Sequence, residues 1–249
     1  MPFRAIDRPP ETGDRRGMAT KARLLGALLL CMTTGGAVPA QATSTLVDVH
    51  EVRAAAKPGR AANCVNAGPD SGTYGLTGWR VGGPTTATFN TRTKPSSLNL
   101  AATVAALQAA YDAWSATSSA PAITVVTGTT SATKPAANHR YELMFGKAGG
   151  GTLAVTYTWR WADGSVESDT LFNTAFTWAN LGPEGDGCDE TAGNVYDVAN
   201  IGTHEFGHTY GLDHPANARF ETMYAYGYSG ETLKRSVASG DVAGANALY

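Results

Sequence analysis

Between Leu100 and Trp114 the apolar residues Leu100, Val104, Leu107, Tyr111 and Trp114 recur every three or four positions, the spacing of a helix with one buried face. Ser97 stands just ahead of them as an N-cap. Packing into a core explains this stripe better than an aromatic binding face does. Shorter runs rich in Val, Ile, Thr, Tyr and Phe read as strands at Thr85–Thr91, Ile123–Thr127, Tyr141–Phe145, Thr152–Trp159 and Asp169–Trp178. Ser/Thr/Pro-rich loops and the run Gly149-Gly150-Gly151 separate them. A second helix is expected from Val198 to Tyr210 with Asp197 as its cap. Val242, Ala245 and Leu248 share one face of a closing helix over Asp241–Leu248. Strands with one early and one late helix define a single α/β or α+β domain, whose core begins near Tyr74. From Thr43 to Asp70 no period is sustained, so residues 43–73 read as a linker, a short pro-segment or a loosely attached arm.

The N-terminus has another pattern. Lys21 and Arg23 precede the apolar run Leu24–Met32, and small residues follow up to Ala40-Gln41-Ala42. A basic flank, a short apolar stretch and an Ala-x-Ala site make residues 1–42 a secretory signal peptide, with Met18 as an alternative start. No apolar run reaches the roughly 18 residues of a spanning helix. The whole chain of 249 residues is 43% hydrophobic and 16% charged with a net charge of −2, which excludes a disordered chain and argues against nucleic-acid binding through a basic face. Without residues 1–42 there remain 207 residues, 13 basic and 18 acidic. Of three cysteines, Cys64 and Cys188 stay in this exported part. An even number in an oxidising compartment suggests one disulfide; two separate buried thiols, or a Cys64 that regulates the site, are the alternatives.

Three of the five histidines fall within eleven residues, in His204-Glu205-Phe206-Gly207-His208-Thr209-Tyr210-Gly211-Leu212-Asp213-His214. On a helix His204 and His208 lie one turn apart on the same face, where both imidazoles reach one cation. Gly211 can take the left-handed conformation that ends the helix and swings His214 in as a third ligand. Three imidazoles leave a fourth tetrahedral position open, the pattern of a catalytic zinc. Zinc there lowers the pKa of a bound water and polarises a carbonyl, and Glu205 is placed to act as general base. The chemistry implied is peptide-bond hydrolysis without a covalent intermediate. The full string has an expected chance occurrence of roughly 10⁻⁵ in a chain of this composition.

That string resembles the signature of the metzincin zinc proteases, and Met223 in Glu221-Thr222-Met223-Tyr224 resembles their Met-turn. The ending Ser239–Tyr249 and the stretch Tyr74–Arg80 are most similar to matrixins, especially small bacterial matrixin-like secreted proteases, so that the likeness spans residues 74–249. The resemblance implies an α+β zincin fold: a twisted mixed sheet of about five strands, two long helices and a small C-terminal subdomain after Gly211. It implies one catalytic Zn2+ on His204, His208 and His214, Glu205 as general base, and Met223 as an apolar floor under the metal. A protein or peptide substrate would lie extended along an edge strand containing Thr152, Leu153, Ala154 and Val155. Tyr224 and Tyr226 would shape the pocket wall.

Some positions depart from the family pattern. His214 is followed by Pro215, and Ala225 stands where related families carry a ligating tyrosine. His139 is the one mid-domain histidine, too few for a second, structural zinc. Cys64-Val65-Asn66-Ala67-Gly68-Pro69-Asp70 is similar to a cysteine switch with two extra residues, though a disulfide to Cys188 accounts for the cysteine more simply. Ca2+ is a second candidate ion, because Glu184, Asp186, Asp189 and Glu190 crowd one loop and Asp163, Glu167 and Asp169 another. The expectation is a secreted, extracellular, monomeric zinc endopeptidase. Its alternative is a non-catalytic zinc-containing domain that binds peptide or cell wall, which would have no need of Glu205.

Overall fold

A computed structural model describes residues 43–55, 64–182 and 187–249; residues 1–42, expected to be a signal peptide, lie outside the described residues. The strands are β1 (Ser44–Ala54), β2 (Gly75–Leu76), β3 (Thr85–Phe89), β4 (Ile123–Thr127), β5 (Tyr141–Gly146), β6 (Thr152–Trp161), β7 (Val166–Asn173), β8 (Trp178–Ala179), β9 (Tyr196–Asp197), β10 (Leu212–Asp213) and β11 (Tyr226–Gly227). The helices are α1 (Leu100–Thr117), α2 (Val198–Tyr210) and α3 (Ser239–Leu248). No helix among the described residues is long and apolar enough to cross a membrane.

Seven strands form one mixed sheet in the order β11-β1-β6-β7-β5-β3-β4. Five of them, β6-β7-β5-β3-β4, make up the expected sheet; β1 and β11 extend it on the β6 side. The β3, β4, β5 and β7 pairings are parallel, whereas β6 runs antiparallel to β7. Helices α1 and α2 cover the sheet. Tyr111 of α1 stacks on Phe206 of α2 with ring centroids 3.7 Å apart, and the Trp114 indole N–H donates to the Thr203 carbonyl at 2.9 Å.

Local chemistry sets most element ends. Asp197 caps α2 by accepting the Asn200 N–H at 2.8 Å, and Gly211 ends it at φ +102°. Helix α1 is capped by Asn99, whose side chain accepts the Ala102 N–H at 3.0 Å, so the helix begins two residues later than a Ser97 cap would place it. The run expected as a strand over Asp169–Trp178 is instead β7 from Val166 to Asn173. There the Asn173 side chain accepts the Ala148 and Ala175 N–H groups and donates to the Thr152 carbonyl, which turns the chain.

The N-terminal segment requires a larger correction. Ser44–Ala54 is no linker: it is an eleven-residue strand, antiparallel to β6 from Ser44↔Trp161 to Arg53↔Thr152 and parallel to β11 at Arg53↔Tyr226. Its apolar side chains hid this, because Leu46, Val47 and Val49 are 48, 38 and 45% exposed while Val52 is fully buried. Backbone pairing holds it, and that leaves no alternation to read. In consequence Thr152, Leu153, Ala154 and Val155 do not form a free edge, since β1 covers the outer side of β6. Beyond residues 56–63, which are not described, Cys64 forms a disulfide with Cys188 across Cα atoms 5.5 Å apart. The Cys64 thiolate of a cysteine switch is therefore not available.

Candidate metal centre

All thirteen residues of α2 are buried, and the helix presents His204 and His208 one turn apart. The left-handed Gly211 then turns the chain so that His214 returns to them. His214 Nε2 lies 3.1 Å from His204 Nε2 and 3.1 Å from His208 Nε2. Two nitrogens each about 2.0–2.1 Å from a tetrahedral zinc stand about 3.3 Å apart, so this triad has the dimensions of a zinc site. Main-chain carbonyls fix two of the tautomers. His204 Nδ1 donates to the Thr222 carbonyl at 2.8 Å, and His208 Nδ1 donates to the Leu212 carbonyl at 2.9 Å. Carbonyls only accept, so in His204 and His208 the protons sit on Nδ1 and the Nε2 lone pairs point toward His214.

Electrostatics favour the same state. Burial, then the neighbouring His214, holds His204 and His208 well below the ordinary imidazole range. Burial brings His214 down to about 4. Neutral imidazoles are the form that binds a metal. Among the described residues the three histidines are the one group of three or more His, Cys, Asp and Glu whose ligand atoms all lie within 4.8 Å of one another.

Glu205 is fully buried beside them. Its Oε2 accepts the Thr156 hydroxyl at 2.6 Å and its Oε1 accepts the Val52 N–H at 3.1 Å. Burial pushes the carboxyl up to about 8, against these two hydrogen bonds, which lower it. Met223 is buried beneath α2, so close that a Cβ on Gly207 would fall 2.2 Å from its sulfur. The turn around it also orients the site, because Thr222 supplies the carbonyl for His204 and the Met223 N–H is held by Asp241 Oδ2 at 3.1 Å. Tyr224 and Tyr226 follow with ring centroids 5.6 Å apart. The adjoining Gly227 faces Leu153 and Ile201, where an added Cβ would come within 2.8 Å of both.

Two residues at the centre carry no sequence signal of their own. Thr156 of β6 holds the Glu205 carboxylate, and His50 of β1 stacks on His208 with centroids 4.3 Å apart while its Nε2 lies 3.0 Å from Asp213 Oδ1. Neither belongs to a motif: the packing of β6 against α2 brings in Thr156, and the β1–β6 pairing brings in His50. Among the described residues the remaining acidic candidates do not converge. Asp163 and Asp189 accept from Ser165 and Thr191 in their own loops, and buried Glu167 and Asp169 accept from Trp161, Asn138, Ala136 and Glu142. Glu184 and Asp186 lie outside the described residues. His139 stacks on Trp161.

A mixed sheet backed by a helix that offers two histidines, with a third returning after a glycine turn, defines a zincin-type metal centre. The family model described as matrixin matches residues 79–249, more than two thirds of the chain. The chain belongs to the matrixins, a family of zinc-dependent metalloproteases. The matched stretch holds all three histidines, Glu205 and Met223 but leaves out β1. No curated protein matches the chain.

Proposed function

We propose that the protein is a secreted zinc endopeptidase that hydrolyses peptide bonds in extended substrates, with Glu205 as general base. The observation that carries this reading is the convergence of three neutral Nε2 atoms beside a buried carboxylate. His204, His208 and His214 would hold the zinc through Nε2. Zinc bound there would supply a Lewis acid that polarises the scissile carbonyl and lowers the pKa of water, so that it gives up a proton readily as it attacks. Glu205 takes the proton released in the attack and passes it to the departing amine. Thr156 fixes which carboxylate oxygen faces the cleft by occupying Oε2. Main-chain N–H and C=O groups of β6 and of the segment Ala225–Gly227 align the substrate, as they already do for β1. Met223 packs under the helix and keeps the histidine face in place.

Export of a monomer after removal of residues 1–42 belongs to the same proposal, and the Cys64–Cys188 disulfide supports an oxidising destination. The test is cleavage of casein by the exported chain, with chelation and zinc restoration in parallel. Zinc-dependent cutting is expected. A chain that holds one zinc and cuts nothing would sink the proposal in favour of a peptide- or cell-wall-binding domain.

A further inference from the structure

Strand β1 lies where a substrate of this centre would lie, and it points in a usable direction. It runs antiparallel to β6 and parallel to β11, so both walls of the cleft bond to it: Arg53 N–H donates to the Ala225 carbonyl at 2.9 Å, and Ala54 N–H to the Gly151 carbonyl at 2.9 Å. The Val52 side chain is fully buried in an apolar pocket against Leu153, Ile201 and Gly227. That pocket is open because residue 227 has no side chain, for a Cβ there would fall 2.8 Å from both Leu153 and Ile201. On one side of Glu51, His50 stacks over the metal-site residue His208 at 4.3 Å. On the other side the Val52 amide nitrogen is 3.1 Å from Glu205 Oε1. The peptide bond between Glu51 and Val52 is thus held over the histidine triad, with its leaving nitrogen against the group that would protonate it.

We propose that Glu51–Val52 is a self-processing site, cut by the chain's own metal centre, and that β1 closes the cleft to other substrates until it is cut. This rests on the endopeptidase reading above. The step is a hydrolysis. The oxygen of one water bonds to the Glu51 carbonyl carbon, the C–N bond to Val52 breaks, and the proton taken up by Glu205 ends on the Val52 amine. The products are a segment ending in the Glu51 carboxylate and a chain beginning Val52-Arg53-Ala54. The second product is continuous with the domain through the backbone, and the Cys64–Cys188 disulfide lies wholly within it, so only the segment ending at Glu51 is released. The preferred substrate class follows: extended peptides with a small aliphatic residue on the amine side of the cut, matching the Val52 pocket.

Zinc-loaded full-length protein would be followed by intact mass and N-terminal sequencing, alongside casein cleavage. The expected result is a new N-terminus at Val52 and a total mass gain of one water, at a rate independent of protein concentration. Glu205→Gln is expected to stay uncut, and Val52→Asp to process about tenfold more slowly or worse, because a carboxylate replaces the methyls in an apolar pocket. Casein cleavage with an intact Glu51–Val52 bond would overturn the self-processing site and leave the endopeptidase reading standing. No cleavage of either substrate by zinc-loaded protein would remove both, and cutting of Glu205→Gln at the same bond would assign it to another protease. A second readout needs no turnover. In Glu205→Gln the amides of residues 52–55 are expected to exchange slowly with deuterium and to lose that protection in the Glu205→Gln, Val52→Asp double variant. Fast exchange in the parent variant would show that β1 does not occupy the cleft.

Discussion

Gly211 joins fold and metal site at one backbone position, so Gly211→Ala tests the link between them. At φ +102° an L-residue pays about 1–2 kcal/mol for the left-handed conformation. The new Cβ would also fall 2.1 Å from the Trp79 carbonyl oxygen and 3.2 Å from Leu248 Cδ1. The first is backbone and cannot rotate aside, so overpacking adds about 1–3 kcal/mol. The stiffer unfolded chain gives back about 0.4–1 kcal/mol. The net loss is about 3 kcal/mol, which for a domain of this size lowers Tm by roughly 10 °C. The displacement also reaches the metal site, because the next residue, Leu212, supplies the carbonyl that fixes His208, and His214 follows two residues later. Loss of such a partner weakens metal binding about 10–100-fold. Urea denaturation of the chelated protein reads the stability term, and competition with a chromogenic chelator reads the zinc term. A stability loss below about 1 kcal/mol with unchanged zinc affinity would refute the role given to this turn, since either component alone should exceed it.

Four further outcomes are expected. Gly207→Ala should destabilise despite a helix-propensity gain of about 1 kcal/mol, because its Cβ meets Met223 Sδ at 2.2 Å and Trp114 Cζ2 at 2.7 Å; thermal melts check it, with Gly202→Ala, whose Cβ would press on Ala110 less closely, at 3.3 Å, as the milder control. Burial raises Asp241 to about 7 in the fold, above its unfolded value of about 3.9, so the stability it contributes is complete below about 4 and is lost as pH rises through 7. Urea midpoints at pH 5 and pH 8 should therefore differ less in Asp241→Asn, which keeps an acceptor for the Met223 N–H, than in wild type. Replacing both cysteines with serine should cost up to about 4–5 kcal/mol, given a sequence separation of 124, read by urea denaturation under non-reducing conditions. Thr156→Val removes a hydrogen bond that lowers the Glu205 pKa, so the acid limb of the kcat/KM profile should move to higher pH while zinc content stays unchanged.

What could be read from the chain was whatever local chemistry decides. Asp197 and Gly211 bracket α2 because a cap acceptor and a left-handed glycine act within a few residues, and the histidine string is set by the same helical period. The Cys64–Cys188 pair followed from parity and compartment. Strand β1 could not be read that way. Its partners in β6 are about a hundred residues distant, three of its apolar residues, Leu46, Val47 and Val49, face solvent while only Val52 is buried, and much of what holds it is main-chain pairing. Missing β1 also meant missing His50 and treating β6 as an open edge. Thr156 was hidden for a related reason: a threonine in a β-branched strand carries no mark of the carboxylate it will hold. Asn99 and Asn173 show the smaller limit, where either of two nearby polar residues can end an element and tertiary packing chooses.

The proposed function requires three histidines to hold a zinc that works only with the Glu205 carboxylate beside it. Zinc per chain and peptide turnover, measured together on wild type and Glu205→Gln, test this most directly. One zinc in each, with turnover in the variant lower by about 10²–10⁴-fold, is the predicted result. Equal turnover by the two proteins at equal zinc content would contradict it.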